Sequence, residues 1–126
     1  MKCSNQKGFT LVEITAVLVI IGVLASVTIR RFDILSDSAN SRALVAGITE
    51  LNVRESLTWT NVKLSDGGWQ EDQQVWDALD KNLDSFTWSA GDPPDRTTGG
   101  TLEFNSNSIT LTRIASTTKK AALWQQ

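Results

Sequence analysis

The chain has 126 residues, 12 Lys plus Arg against 14 Asp plus Glu, a single cysteine, and neither histidine nor tyrosine. That length fits one domain. The missing side chains remove His-based acid–base catalysis, Ser-His and Cys-His nucleophilic pairs, the commonest zinc ligand and any intramolecular disulfide. The balanced charge, with no basic block beyond Arg30-Arg31 and Lys119-Lys120, argues against a nucleic-acid binder. The expectation is therefore neither an enzyme nor a nucleic-acid-binding protein.

From Phe9 to Ile29 the sequence is apolar, and Glu13 is its one charged residue. As a helix this stretch spans about 31 Å, the hydrocarbon thickness of a bilayer. Lys2 and Lys7 before it favour a cytoplasmic N-terminus, whereas Arg30 and Arg31 after it lie on the wrong side for that rule. Three readings fit: a plain anchor, a secretory signal cut after Val23-Leu24-Ala25, and an anchor that is also an assembly helix. Glu13 separates them. A carboxylate deep in a bilayer costs about 2.5–3.5 kcal/mol and is kept where it finds a partner, which neither a plain anchor nor a discarded signal supplies. Gly8 joins the basic leader "MKCSNQKG" to the apolar run. A cut after Gly8 would create an amine on Phe9, one helical turn before Glu13 and opposite to it in charge.

The segment "KGFTLVEITAVLVIIGVLA" resembles the N-terminus of type IV pilins and of type II secretion pseudopilins: a basic residue, Gly, Phe, Thr, Leu, then Glu at the fifth position of the mature chain. The resemblance covers about the first 30 residues. It implies that a prepilin peptidase cuts after Gly8 and methylates the new Phe9 amine, and that Glu13 pairs with the Phe9 amine of a neighbouring subunit. The implied partners are other copies of the chain and related pilins in a helical filament, the peptidase, and an inner-membrane assembly platform. The implied location is the inner membrane, N-terminus cytoplasmic, and then an extracellular pilus or a periplasmic pseudopilus. Major pilins often carry proline at the position of Arg30, and in their filaments the helix melts between the equivalent of Gly22 and that proline. Here Gly22 is present and the proline is not, a departure shared by minor pilins and several pseudopilins. Cys3 and both leader lysines would leave with residues 1–8, giving a cysteine-free mature chain with 10 basic and 14 acidic side chains, net −4.

The implied fold is α+β and pilin-like: a leader over 1–8, a membrane and filament-core helix over 9–29, and a head over 30–126. The residues support this division. Ala43, Leu44, Ile48, Leu51 and Leu57 make an apolar stripe between Arg42, Glu50, Arg54 and Glu55, and no proline interrupts Phe9–Thr58. One helix to about residue 58, roughly 75 Å long, is predicted. "SDGGWQ" is a turn, and "EDQQVWDALDKNL" predicts a short helix over about 71–83 with Val75, Trp76, Leu79 and Leu83 inward and Glu71 and Asp72 in solvent. Alternation in "SFTWS", "TLEF" and "SITLTRI" predicts three antiparallel strands over about 85–114, with Ile109, Leu111 and Ile114 inward and a hairpin at "NSN". The tail to Trp124 either covers the sheet edge or has no fixed structure.

Two features invite chemistry. Asp92 and Asp95 flank Pro93-Pro94 in a loop, and loop oxygens suit calcium, so they are weak calcium candidates, with ordinary turn residues as the simpler account. Five tryptophans, scattered over the predicted elements, read as core and interface residues rather than a sugar-stacking surface. The expected function is a structural subunit of a type IV pilus-like filament. The alternatives are a secretion pseudopilin and, more remotely, a small secreted binding module behind a conventional signal peptide.

Overall fold

A computed structural model describes residues 8–126; Lys2, Cys3 and Lys7 of the leader lie outside the described residues. One helix, α1 (Leu11–Leu64), is followed by α2 (Asp72–Ala78) and by four strands, β1 (Thr87–Trp88), β2 (Gly100–Phe104), β3 (Asn107–Ile114) and β4 (Leu123–Gln125). The strands form one antiparallel sheet in chain order. This is the pilin-like α+β architecture, with one strand more than the alternation predicted. The described chain divides into a unit ending at Ser36 and a unit spanning Asp37–Gln126, and α1 contributes to both.

In the first unit α1 is long and apolar enough to cross a membrane. Gly22 and Arg30 both lie inside the helix, which is uninterrupted there. A lone glycine costs only about 1 kcal/mol against alanine, too little to break a helix that no proline interrupts. Large apolar side chains stand exposed from Phe9 to Leu35.

In the second unit the helix and sheet bury one seam. Leu44, Gly47, Leu51 and Glu55 are the buried residues of α1, at spacings of three and four. Leu44 and Leu51 join Leu83, Leu102, Leu111 and Trp124 in the core. Gly47 is there because the sheet comes close: a Cβ would stand 3.1 Å from the Phe86 ring and 3.2 Å from Leu102. Leu57, predicted in the stripe, is 60 % exposed. Six residues beyond Leu51 is about 240° around the helix, off the buried face. α1 also runs past residue 58 to Leu64, and α2 stops at Ala78, short of 83. Leu79 turns extended, and Asp80 Oδ1 accepts from the Asn82 amide at 3.0 Å in the turn that follows. Leu79 and Leu83 are buried all the same.

The β2–β3 hairpin turns on Asn105 and Ser106, both at positive φ, which matches the twist of the strands. Gly99, before β2, has φ +99°, and a Cβ there would stand on the Leu111 carbonyl. The tail is ordered. β4 pairs with β3, and Trp124 is 1 % exposed, 5.5 Å from the Trp88 ring and 6.3 Å from Trp76. Asn52 of α1 holds it there, accepting from the Trp124 amide at 2.7 Å and donating to its carbonyl at 3.1 Å.

The largest departure from expectation is a buried ionic cluster. Arg113, not Ile114, faces inward; Glu55 and Asp72, expected in solvent, are buried with it. Register decides this: Leu111 is inward, so period two puts Arg113 inward and Ile114 out. All five guanidinium N–H groups are used. Nε and Nη2 donate to Glu55 at 2.6 and 3.2 Å, Nη1 and Nη2 to Asp72 at 2.8 and 3.1 Å, and Nη1 to the Arg96 carbonyl at 3.0 Å. Ser116 donates twice to Asp72 Oδ1, and the Trp124 indole donates to Glu55 at 2.9 Å. Among the described residues no buried side-chain polar atom lacks a partner. The cluster ties α1, α2, β3 and the tail together.

Burial would raise the pKa of Asp72, but hydrogen bonds from Arg113 and Ser116 outweigh it and hold it at about 2, below the ordinary 3.8. Burial opposes the charge on Arg113 too, and bonds from Glu55 and Asp72 reverse that and raise it. Because the folded pKa of Asp72 is the lower one, its contribution of about 2 kcal/mol is present at neutral pH and lost as pH falls from about 4 toward 2. Urea unfolding of the detergent-solubilised chain, followed by tryptophan fluorescence, should show this acid loss, and Asp72→Asn should be less stable at pH 6 with a shallower acid slope. Arg113→Ala, which strands two buried carboxylates, should cost about 3–5 kcal/mol in the same assay.

Candidate functional site

The candidate site is the start of α1. Phe9 and Thr10 precede the helix, and Glu13 lies in its first turn. Thr10 is the N-cap. Its Oγ1 accepts from the Glu13 amide at 3.2 Å, and Glu13 Oε2 accepts from the Thr10 amide at 3.2 Å. This reciprocal pair is a capping box, which satisfies two backbone donors that a helix start leaves open. A carboxylate at this end is also favoured by the helix dipole. Phe9 therefore lies one residue outside the cap rather than in the helix, 84 % exposed, and it lines one groove with Glu13, Ile14, Val17 and Leu18. Phe9 and Ile14 occupy the two positions of a hydrophobic staple.

The capping box changes what Glu13 does in the isolated chain. Its side chain is not without a donor: Oε2 takes the Thr10 N–H, while Oε1 accepts no hydrogen bond among the described residues. The hydroxyls of the apolar run are handled in the same way. Thr15 donates to Leu11 O at 2.7 Å, Ser26 to Val23 O at 2.8 Å and Thr28 to Leu24 O at 2.8 Å. Every polar side chain of Leu11–Ile29 thus has a partner within its own helix, as a hydrocarbon environment demands. Thr10 was not among the residues singled out from the sequence, although Thr-x-x-Glu before an apolar run is a recognisable capping signature.

The calcium candidates are engaged elsewhere. Asp95 Oδ1 accepts from the amides and hydroxyls of Thr97 and Thr98, at 2.7 to 3.2 Å, and Asp92 Oδ2 accepts from Thr101 Oγ1 at 2.6 Å. The Thr97 and Thr98 bonds hold the Asp95 carboxyl well below the usual carboxylate range. Among the described residues no group of three or more His, Cys, Asp or Glu side chains is placed to hold a metal ion. Both carboxylates serve as turn acceptors that shape the loop.

Thr10→Ala removes one half of the capping box and should cost about 1 kcal/mol of local helix stability. The expected readout is faster hydrogen exchange at the Glu13 amide in detergent micelles, by about fivefold for that energy, with amides beyond residue 20 unchanged.

Residues 3–29 match the prokaryotic N-terminal methylation motif. No curated protein and no solved structure gives a match. The motif and the apolar helix together mark a membrane-anchored precursor, and the motif implies a structural subunit rather than an enzyme. Residues 3–29 thus carry the N-terminal methylation motif that leads type IV pilins and pseudopilins, ahead of a head with a pilin-like α+β architecture.

Proposed function

We propose that the chain is a structural subunit of a type IV pilus-like filament, cut after Gly8 by a prepilin peptidase, methylated on the Phe9 amine and packed through its N-terminal helix. Before assembly it sits in the inner membrane with its N-terminus cytoplasmic; afterwards it is part of an extracellular pilus. The observation that carries this reading is the methylation motif continuing into an apolar stretch whose one charged residue, Glu13, keeps one carboxylate oxygen without a hydrogen bond among the described residues. Oε2 serves the chain's own cap. Oε1 is the acceptor offered to the Phe9 amine of a neighbour, and in a low dielectric that pairing is favourable where an unpaired charge is not. The helix from Leu11 to Ile29 supplies the filament core, and the head supplies the outer surface. The assembly platform of the inner membrane is the further partner.

A second reading is a pseudopilin of a type II secretion system, which uses the same helix in a periplasmic filament. The absence of proline at position 30 supports it over a major pilin.

Mass spectrometry of the mature chain should find methylated Phe9 as the first residue; Ser26 in that place would sink the filament reading in favour of a secreted module. Glu13→Gln keeps an oxygen acceptor for the Thr10 N–H but has no charge. It should enter the membrane and retain first-turn protection, yet be missing from sheared filaments. Incorporation of this variant at the wild-type level would refute the charge pairing.

A further inference from the structure

The outer face of the sheet is polar except at one place. Thr87, Thr101, Glu103, Ser108, Thr110, Thr112 and Gln125 face outward, and so do Ile114 and Leu123, which are direct cross-strand partners, 51 % and 47 % exposed. Two paired aliphatic side chains on an otherwise Thr- and Ser-rich surface make an apolar patch that water does not favour. They line a groove of about 360 Å³ with Asn52, Ser56, Ala121 and Lys120. Lys119 and Lys120 are exposed, and neither forms an ion pair among the described residues.

The other flank of α1 has the opposite character. Val53 and Leu57 are 53 % and 60 % exposed. Beside them Arg54 is already engaged by Glu50, by Asp80 and by the Asp80 and Asn82 carbonyls. Glu50 and Asp80 are more exposed than the Arg54 they share, and Lys81 is turned onto the Trp76 and Leu79 carbonyls, so this flank presents a net negative charge. Asn52 and Ser56 each lie two residues from Arg54, about 200° around the helix, which puts the groove and the acidic flank on opposite sides.

We propose that these two flanks are the two halves of one contact between copies of this chain: the Ile114–Leu123 groove with Lys120 on one head receives Leu57, with Asp80 beside it, from the next. The charges are opposite and the apolar areas match in kind, so the pair fits, while groove against groove would set lysine on lysine. A contact between unlike patches is heterologous, and its repetition builds a helical array rather than a closed dimer. The ion pairs at the rim set register and partner choice, and the aliphatic side chains exclude water. The inference rests on the filament reading above and adds to it the lateral contact between heads.

The mature chain from Phe9 onward has no native cysteine, so cross-linking reports on introduced thiols alone. Leu57→Cys and Ile114→Cys, placed together in the full-length chain and oxidised on assembled filaments, should give a ladder of dimers, trimers and longer products, and each single variant should stay monomeric. Filaments with methylated Phe9 in which the double variant stays monomeric would overturn the proposed contact and leave the filament reading standing. A single variant that forms dimers by itself, or cross-linking to a different protein only, overturns it as well. A wild-type chain that is neither methylated nor assembled overturns both. As a second measurement, Lys120→Glu should cause a loss of assembled filament that Asp80→Lys in the same chain restores; failure of that restoration counts against the contact.

Discussion

A carboxylate in hydrocarbon must keep a hydrogen-bond donor, and the first turn of α1 meets that demand from within. Thr10 and Glu13 close on each other, so the helix starts at Leu11 and Phe9 is left outside the cap. The insertion penalty of a lone acid, about 2.5–3.5 kcal/mol, is offset in part by a charge-assisted bond and by the helix dipole. The same economy of local partners covers Thr15, Ser26 and Thr28. The first turn thus supplies its own partners and, among the described residues, leaves Glu13 Oε1 without a hydrogen bond.

The head solves a different problem with related chemistry. Its helix-facing layer is short of large aliphatic residues at the Glu55 end, and a buried arginine fills the space. Replacing such a cluster by apolar side chains of equal volume is often no less stable, so its value lies in specificity. Five fixed donors on Arg113 accept only one arrangement of α1, α2 and the C-terminal strand. Trp124 is held by the same cluster through its indole and by Asn52 through its backbone. The last residues of the chain are therefore as firmly placed as the core.

Much of this was legible in the sequence, and the failures have physical causes. The 3.6-residue stripe and the absence of proline gave α1, and period two gave β2 and β3. The Gly-Phe-Thr-Leu-x-Glu pattern gave the N-terminal methylation motif through its resemblance. The sequence misled where charge and burial part company. Glu55, Asp72 and Arg113 read as solvent-facing because isolated charges are rarely buried, and no local pattern reveals that three residues from three elements will meet. Ile114 was placed inward because its neighbour was charged. β4 was left undecided, since a three-residue strand has no period to read and its order comes from long-range bonds. The Thr10 cap is readable in Thr-x-x-Glu ahead of an apolar run.

The grip of Asn52 on Trp124 reaches beyond the fold of one head. β4 is the last strand of the sheet, and the Trp124 N–H and C=O, which a foreign strand would need, are already taken by a side-chain amide that presents one acceptor and one donor as a neighbouring strand would. At the far side the sheet ends in β1, only two residues long. One margin is thus capped and the other is short, which hinders strand addition, the usual route from crowded β-proteins to aggregates. Heads crowded together can lie side by side without their sheets merging, and any order among them is left to side-chain surfaces.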